Sequence, residues 1–213
     1  MSHQVNVYYA YCPRVFDISG NYHVYQRKLA DKMLNYGLKN MFNVDGAGKI
    51  VEKGTYGKPY LRGMEQFQYN ISNTDGMVVC ALSDICVGVD AERKKSFRKG
   101  ILRKCASQKE CTYIMEAEDI SEQAERFFRL WTLKESYIKM TGDGMRIPLQ
   151  EVAFQLMEDS GMLFKDILSN SRIKCSKEGE FYQKRLEDYW LSVCVPEEAK
   201  VQWILLENLG AGI

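Results

Sequence analysis

Val87-Gly88-Val89-Asp90-Ala91-Glu92 is the stretch on which both fold and chemistry turn. An apolar strand ends here in two carboxylates one residue apart. A strand's side chains alternate with a period of two, so Asp90 and Glu92 project from one face. Two carboxylates on one face repel each other unless something positive lies between them. Mg²⁺ suits that place, because it takes hard oxygen ligands and often needs only a few carboxylates. Read by itself, the pair is equally the pattern of two solvated acids at a strand end, beside Arg93, Lys94 and Lys95.

Working upstream, 67–71, 76–82 and 85–90 read as consecutive strands. The last two are joined by the short polar turn Ser83-Asp84, the arrangement of a hairpin. The glycine-dense stretch 45–63 predicts turns around short strands. Leu29, Met33, Leu34, Leu38 and Met41 recur at helical spacing over about 22–41, and Val5 to Ala10 reads as an opening strand. Downstream, the charged segment 93–104 predicts a connection. Ser107 with Glu110 has the form of a capping box. A long helix is expected over about 122–139, stopped by Gly142-x-Gly144. Strands around 152–154, Tyr182 and 189–194 follow. Strand, helix and strands thus occur twice over. This predicts an α+β protein of two similar halves, 1–100 and 101–213, with no residue-level repeat to mark them.

The whole-chain figures exclude several function classes. Of 213 residues, 46% are apolar, enough for a sizeable core. Lys and Arg number 29 against 28 Asp and Glu, a balance that argues against a nucleic-acid binder but leaves room for a local basic groove. Seven cysteines, with no Cys-x-x-Cys pair, argue against a zinc ribbon or a disulfide framework and for a reducing compartment. The opening residues lack a basic stretch followed by a long apolar one, and no uncharged apolar run approaches a membrane helix. A cytoplasmic protein with no membrane segment is expected.

Three further segments carry chemistry. In Leu130-Trp131-Thr132-Leu133-Lys134-Glu135-Ser136-Tyr137-Ile138-Lys139, Glu135 and Lys139 lie four apart on one helix face. Alone they are a surface ion pair; with Asp90 and Glu92, Glu135 is a third carboxylate and Lys139 a point charge for a phosphate. Trp131 is expected to pack in the core. Gly57-Lys58-Pro59 holds a lysine in a turn. Tyr69-Asn70-Ile71 runs on to Ser72, Asn73 and Thr74, which read equally as turn formers.

The order GKP, YNIS, VGVDAE, then LWTLKESYIK with GDG just after resembles the surfactin-type (Sfp-like) phosphopantetheinyl transferases over about 57–144. The resemblance implies a pseudo-dimer of two α+β halves with coenzyme A between them. It implies that Asp90, Glu92 and Glu135 hold Mg²⁺ against the pyrophosphate, that Lys139 contacts the phosphates and that Lys58 contacts the nucleotide end. Ser72 falls at a pyrophosphate-contacting position, with Asn73 beside it where many relatives carry histidine. Asn73 can donate a hydrogen bond but carries no charge. Arg27 is a candidate for the 3′-phosphate, and Lys134 a residue that orients the helix. The implied reaction moves phosphopantetheine onto a serine of an acyl- or peptidyl-carrier protein of fatty acid, polyketide or nonribosomal peptide synthesis. Glu135 is the general base and Lys139 the charge-stabilising group. The chain is expected to act as a monomer. The competing reading is an inactive relative that binds coenzyme A or carrier domains without transfer.

Overall fold

The computed structural model describes residues 3–12, 22–156, 167–168, 173–207 and 209. The chain opens with strand β1 (His3–Cys12) and helix α1 (Tyr22–Phe42). Short strands β2 (Val51–Lys53) and β3 (Pro59–Leu61) follow, then β4 (Gln68–Thr74), β5 (Gly76–Ser83) and β6 (Gly88–Arg93). Helices α2 (Leu102–Cys105), α3 (Gln108–Met115) and α4 (Ile120–Thr141) come next. The remaining strands are β7 (Phe154–Leu156), β8 (Ile167–Leu168), β9 (Ile173–Cys175), β10 (Glu180–Leu186), β11 (Tyr189–Val195) and β12 (Ala199–Leu205).

Two four-stranded sheets, ordered β12-β1-β5-β4 and β6-β11-β10-β8, form the centre of the molecule. The connection β1–α1–β4–β5 with sheet order β1-β5-β4 is matched by β6–α4–β10–β11 with order β6-β11-β10. The same strand–helix–hairpin path therefore occurs twice, as the sequence order suggests.

Alternation in the central strands separates three cores. Met77, Val79 and Ala81 of β5 meet Val89 and Ala91 of β6 and Leu191 and Val193 of β11 between the sheets. The intervening Val78, Cys80 and Leu82 face α1, where they pack on Leu29, Met33 and Leu38. On the outer side of the second sheet, Phe127, Leu130 and Leu133 of α4 pack with Phe181, Trp190 and Cys194. Because β5 and β11 are covered on both faces and buried along nearly their whole length, these strands read as almost continuous apolar runs.

Several features of the structure go beyond the sequence reading, among them the helix α2 at the end of the charged segment 93–104. Ser83-Asp84 does not close a hairpin: both edges of β5 are taken by β1 and β4, and the turn carries the chain across to the second sheet, where β6 pairs with β11. A division at residue 100 separates the helices but not the strands, since β6 belongs to the second sheet. Strands β8, β9 and β12 were not anticipated; β12 returns to pair in parallel with β1 in the first sheet. Its half-exposed pattern is that of an edge strand, which carries a weaker apolar signal.

The helix boundaries follow local chemistry. Ser107 accepts from the Glu110 N–H while the Glu110 carboxylate accepts from the Ser107 N–H, a complete capping box. Asp119 caps α4, and Gly142 ends it in the left-handed conformation at φ 77°.

Candidate active site

Val89 and Ala91 face the core between the sheets, so the period of two turns Gly88, Asp90 and Glu92 toward α4. Gly88 makes that approach possible. A Cβ there would collide with the Ser136 carbonyl oxygen and the Met140 amide nitrogen on α4. With no side chain at 88, strand and helix come into close contact, which sets Asp90 and Glu92 beside Glu135 and Lys139.

The free edge of β6 lies along β4. Its N–H groups are met by side chains, not by backbone carbonyls: Val89 donates to Asn70 Oδ1 (3.0 Å), Ala91 to Ser72 Oγ (3.2 Å) and Arg93 to Thr74 Oγ1 (3.3 Å). Three alternate residues of one strand thus satisfy three alternate N–H groups of another. The two hydroxyls also donate onward. Ser72 Oγ bonds Asp90 Oδ1 at 2.9 Å, and Thr74 Oγ1 bonds Glu92 Oε2 at 3.2 Å.

Lys139 completes the cluster, donating to Asp90 Oδ1 (2.7 Å) and Ser72 Oγ (3.1 Å). An ammonium has three donors, and among the described residues two of those of Lys139 are used. Asp90 Oδ2 is buried with no hydrogen-bond partner. An orphaned carboxylate oxygen in a closed place is costly, and it marks a position for a cation or a donor not supplied by this chain. Burial raises the proton affinity of Glu135; the charges of Asp90 and Glu92 add to it, against the opposing Lys139. Glu92 is raised likewise, by burial first and then by Asp90.

Among the described residues no group of three or more His, Cys, Asp or Glu is drawn together closely enough to hold a metal unaided. The donor set still fits Mg²⁺. The ion commonly takes one or two carboxylates and fills its other positions with water and phosphate oxygens, and the orphaned Asp90 Oδ2 is an oxygen of the kind it takes.

The other expected site residues lie around this cluster. Lys58 is part-buried and donates to Met140 O (2.7 Å) and Val87 O (3.2 Å), tying the end of α4 to the start of β6. Burial lowers its proton affinity. Asn73 is exposed and donates to Gln26 Oε1 on α1 at 3.3 Å. Arg27 is exposed on α1 next to Gln26. Neither Arg27 nor Asn73 makes a described contact with the carboxylates. Lys134 is 1% exposed and uses its three donors on Glu110 (2.8 Å), Leu149 O (2.9 Å) and Val152 O (2.6 Å), which locks α4 to α3 and the following loop.

A groove of about 460 Å³ opens from Glu92 along 95–104 and α4, floored by Phe97, Phe127, Phe128 and Trp131 and rimmed by Lys95 and Lys104. Trp131 is only partly buried and stacks on Phe127 as part of this floor. Thr74 and Gln26 were not anticipated as site residues. The alternation Asn70, Ser72, Thr74 was the available signal for Thr74, whereas Gln26 has none outside the fold.

The family model described as the 4′-phosphopantetheinyl transferase superfamily matches residues 86–194, about half of the chain and the part holding β6 and α4. The chain is 29% identical over 131 residues to a 4′-phosphopantetheinyl transferase of Bacillus subtilis, covering 62% of this chain and 58% of that protein. It is 30% identical over 141 residues to one of Aneurinibacillus migulanus (66% and 58% covered). To the human L-aminoadipate-semialdehyde dehydrogenase-phosphopantetheinyl transferase it is 27% identical over 175 residues (76% and 55% covered). The match spans little more than half the length of these curated relatives. With the matched region enclosing the β6–α4 cluster, the chain belongs to the 4′-phosphopantetheinyl transferase superfamily.

Proposed function

We propose that this chain transfers the phosphopantetheine arm of coenzyme A to a serine of an acyl- or peptidyl-carrier protein, releasing 3′,5′-adenosine bisphosphate, in a Mg²⁺-dependent reaction. The observation that carries this reading is the orphaned Asp90 Oδ2 beside Lys139, Glu92 and Glu135, in the segment matched by the superfamily.

Asp90, Glu92 and Glu135 would hold Mg²⁺, which when bound supplies positive charge to the pyrophosphate oxygens. Lys139 offers its remaining donor to the same phosphates and offsets charge on the leaving group. The new bond joins the carrier serine oxygen to the β-phosphorus; the bond broken joins that phosphorus to the oxygen that departs with the bisphosphate. The serine proton goes to Glu135, directly or through water. The raised proton affinity of that carboxylate suits it to accept. Ser72 would donate to a phosphate once its hydroxyl turns away from Asp90 Oδ1. Asn73 and Arg27 lie exposed on the side of α1 and β4 where the 3′-phosphate would be met, and Lys58 would serve the nucleotide end from the loop behind α4. The apolar groove with lysines on its rim, opening from Glu92, offers a carrier helix with acidic residues a place to bring its serine in.

All seven cysteines are free thiols, and no described helix is long and apolar enough to cross a membrane, which supports placing the protein in the cytoplasm. The repeated strand–helix–hairpin path supports a pseudo-dimer acting as a monomer. The test is the intact mass of apo-carrier proteins incubated with this protein, coenzyme A and Mg²⁺. A gain of one phosphopantetheine group that EDTA abolishes is the expected result. Coenzyme A binding without any such gain, across carriers of all three pathways, overturns the reading in favour of a binding-only relative.

A further inference from the structure

The two β6 carboxylates are held differently. Asp90 Oδ1 has both Ser72 and Lys139, whereas Glu92 Oε2 has the Thr74 hydroxyl and the Lys95 ammonium 3.6 Å away. Lys95 is largely exposed, and an exposed ion pair fixes geometry poorly. Thr74 is buried and fastened on two further sides. Its hydroxyl accepts the Arg93 N–H, and its carbonyl accepts from Gln26 Nε2 at 2.7 Å, with Gln26 itself on the buried face of α1. A β-branched side chain in such a place has little rotational freedom.

We propose that Thr74 is a positioning residue for the cation site: its hydroxyl sets the Glu92 carboxylate beside Asp90, with Gln26 fixing Thr74 from behind. The inference rests on the reading of Asp90, Glu92 and Glu135 as cation ligands. Groups that hold a ligating carboxylate from behind commonly change metal affinity by about 10–100-fold when removed.

Asn70 supplies the control. It makes the same kind of bond to β6, at Val89 N, but among the described residues it bonds no carboxylate. Mn²⁺ binding to the full chain, followed by the electron paramagnetic resonance of the free ion, measures the site without reference to turnover, since Mn²⁺ favours the same oxygen ligands as Mg²⁺. Thr74→Val is expected to weaken Mn²⁺ binding by about tenfold or more, and Thr74→Ser to restore it. Asn70→Ala should lower the melting temperature while leaving Mn²⁺ binding at the parent value. In turnover, the Mg²⁺ needed for half activity should rise in Thr74→Val with the KM for the carrier unchanged. Thr74→Ala serves in the same role where the Val side chain is not accommodated.

Parent-like Mn²⁺ binding in the variant lacking the hydroxyl overturns the proposal alone, as does an equal loss in Asn70→Ala, which would make the effect one of the seam as a whole. A parent protein that takes up no Mn²⁺, with or without coenzyme A, overturns the cation reading and this proposal together.

Discussion

Lys134 and Lys139 stand five residues apart on one helix, each beside an acid, and they do opposite work. Lys134 is sealed between α4, α3 and the following loop, with its three donors on Glu110 and two carbonyls. Lys139 lies at the mouth of the β6–α4 seam, bonded to Asp90 and Ser72 with a donor to spare. Glu110 also differs from Asp90: its oxygens accept the Ser107 and Phe154 N–H groups, while Asp90 keeps one oxygen unpartnered. A fully satisfied buried pair holds structure, and an incompletely satisfied one leaves capacity for a ligand.

The comparison breaks most visibly at its buried end. Lys134→Met should cost about 3–5 kcal/mol of stability, because Glu110 is left charged and buried without its cation. Urea denaturation measures it, and a loss confined to activity would place Lys134 with Lys139 instead. At the open end, Lys139→Ala should lower kcat/KM for transfer by about 10²-fold or more and cost less stability in urea than Lys134→Met, because Lys139 is the more exposed of the two and Asp90 keeps Ser72. Unchanged kinetics would reduce Lys139 to a surface ion pair.

The seam itself is tested by Gly88→Ala. A methyl group directed at the α4 backbone should cost about 1–3 kcal/mol and move Asp90 away from Lys139, so that stability and transfer fall together. Loss of only one would show that strand–helix contact does not set the site.

The smallest effect is a pH dependence. Folding raises the proton affinities of Glu92 and Glu135, so the folded state binds more protons than the unfolded one from the ordinary carboxylate value of 4.5 up through the raised values. Without divalent ions, stability should therefore fall as pH rises through that window and level off above it. Glu135→Gln should flatten the slope and be more stable than the parent near neutral pH, as read by denaturation at a series of pH values.

Much of this arrangement is legible along the chain because its causes are local. The spacing of Leu29, Met33 and Leu38 predicts α1; Ser107 with Glu110 and Gly142 after Lys139 predict helix ends, all as found. What escaped the sequence depends on partners far away in the chain. The turn at Ser83-Asp84 has the form of a hairpin, and only the occupied edges of β5 turn the chain to the other sheet. Asn70 reads as part of a strand, and Ser72 and Thr74 as turn formers or ligand contacts, yet each meets an N–H of β6 nineteen residues on. Lys58 sits in a glycine turn as expected, but the acceptors of its ammonium lie on Val87 and Met140.

By itself, then, the sequence determined which groups could bear charge together: a period of two puts Asp90 and Glu92 on one face, and a helical turn does the same for Glu135 and Lys139. Those are properties of a single element and need no neighbour. Only the tertiary structure decided that the two faces meet, at Gly88, and that Lys134 turns inward while Lys139 stays open. Such outcomes depend on which surfaces are brought together and which hydrogen-bonding groups burial leaves to be satisfied, and spacing along a chain carries no record of either.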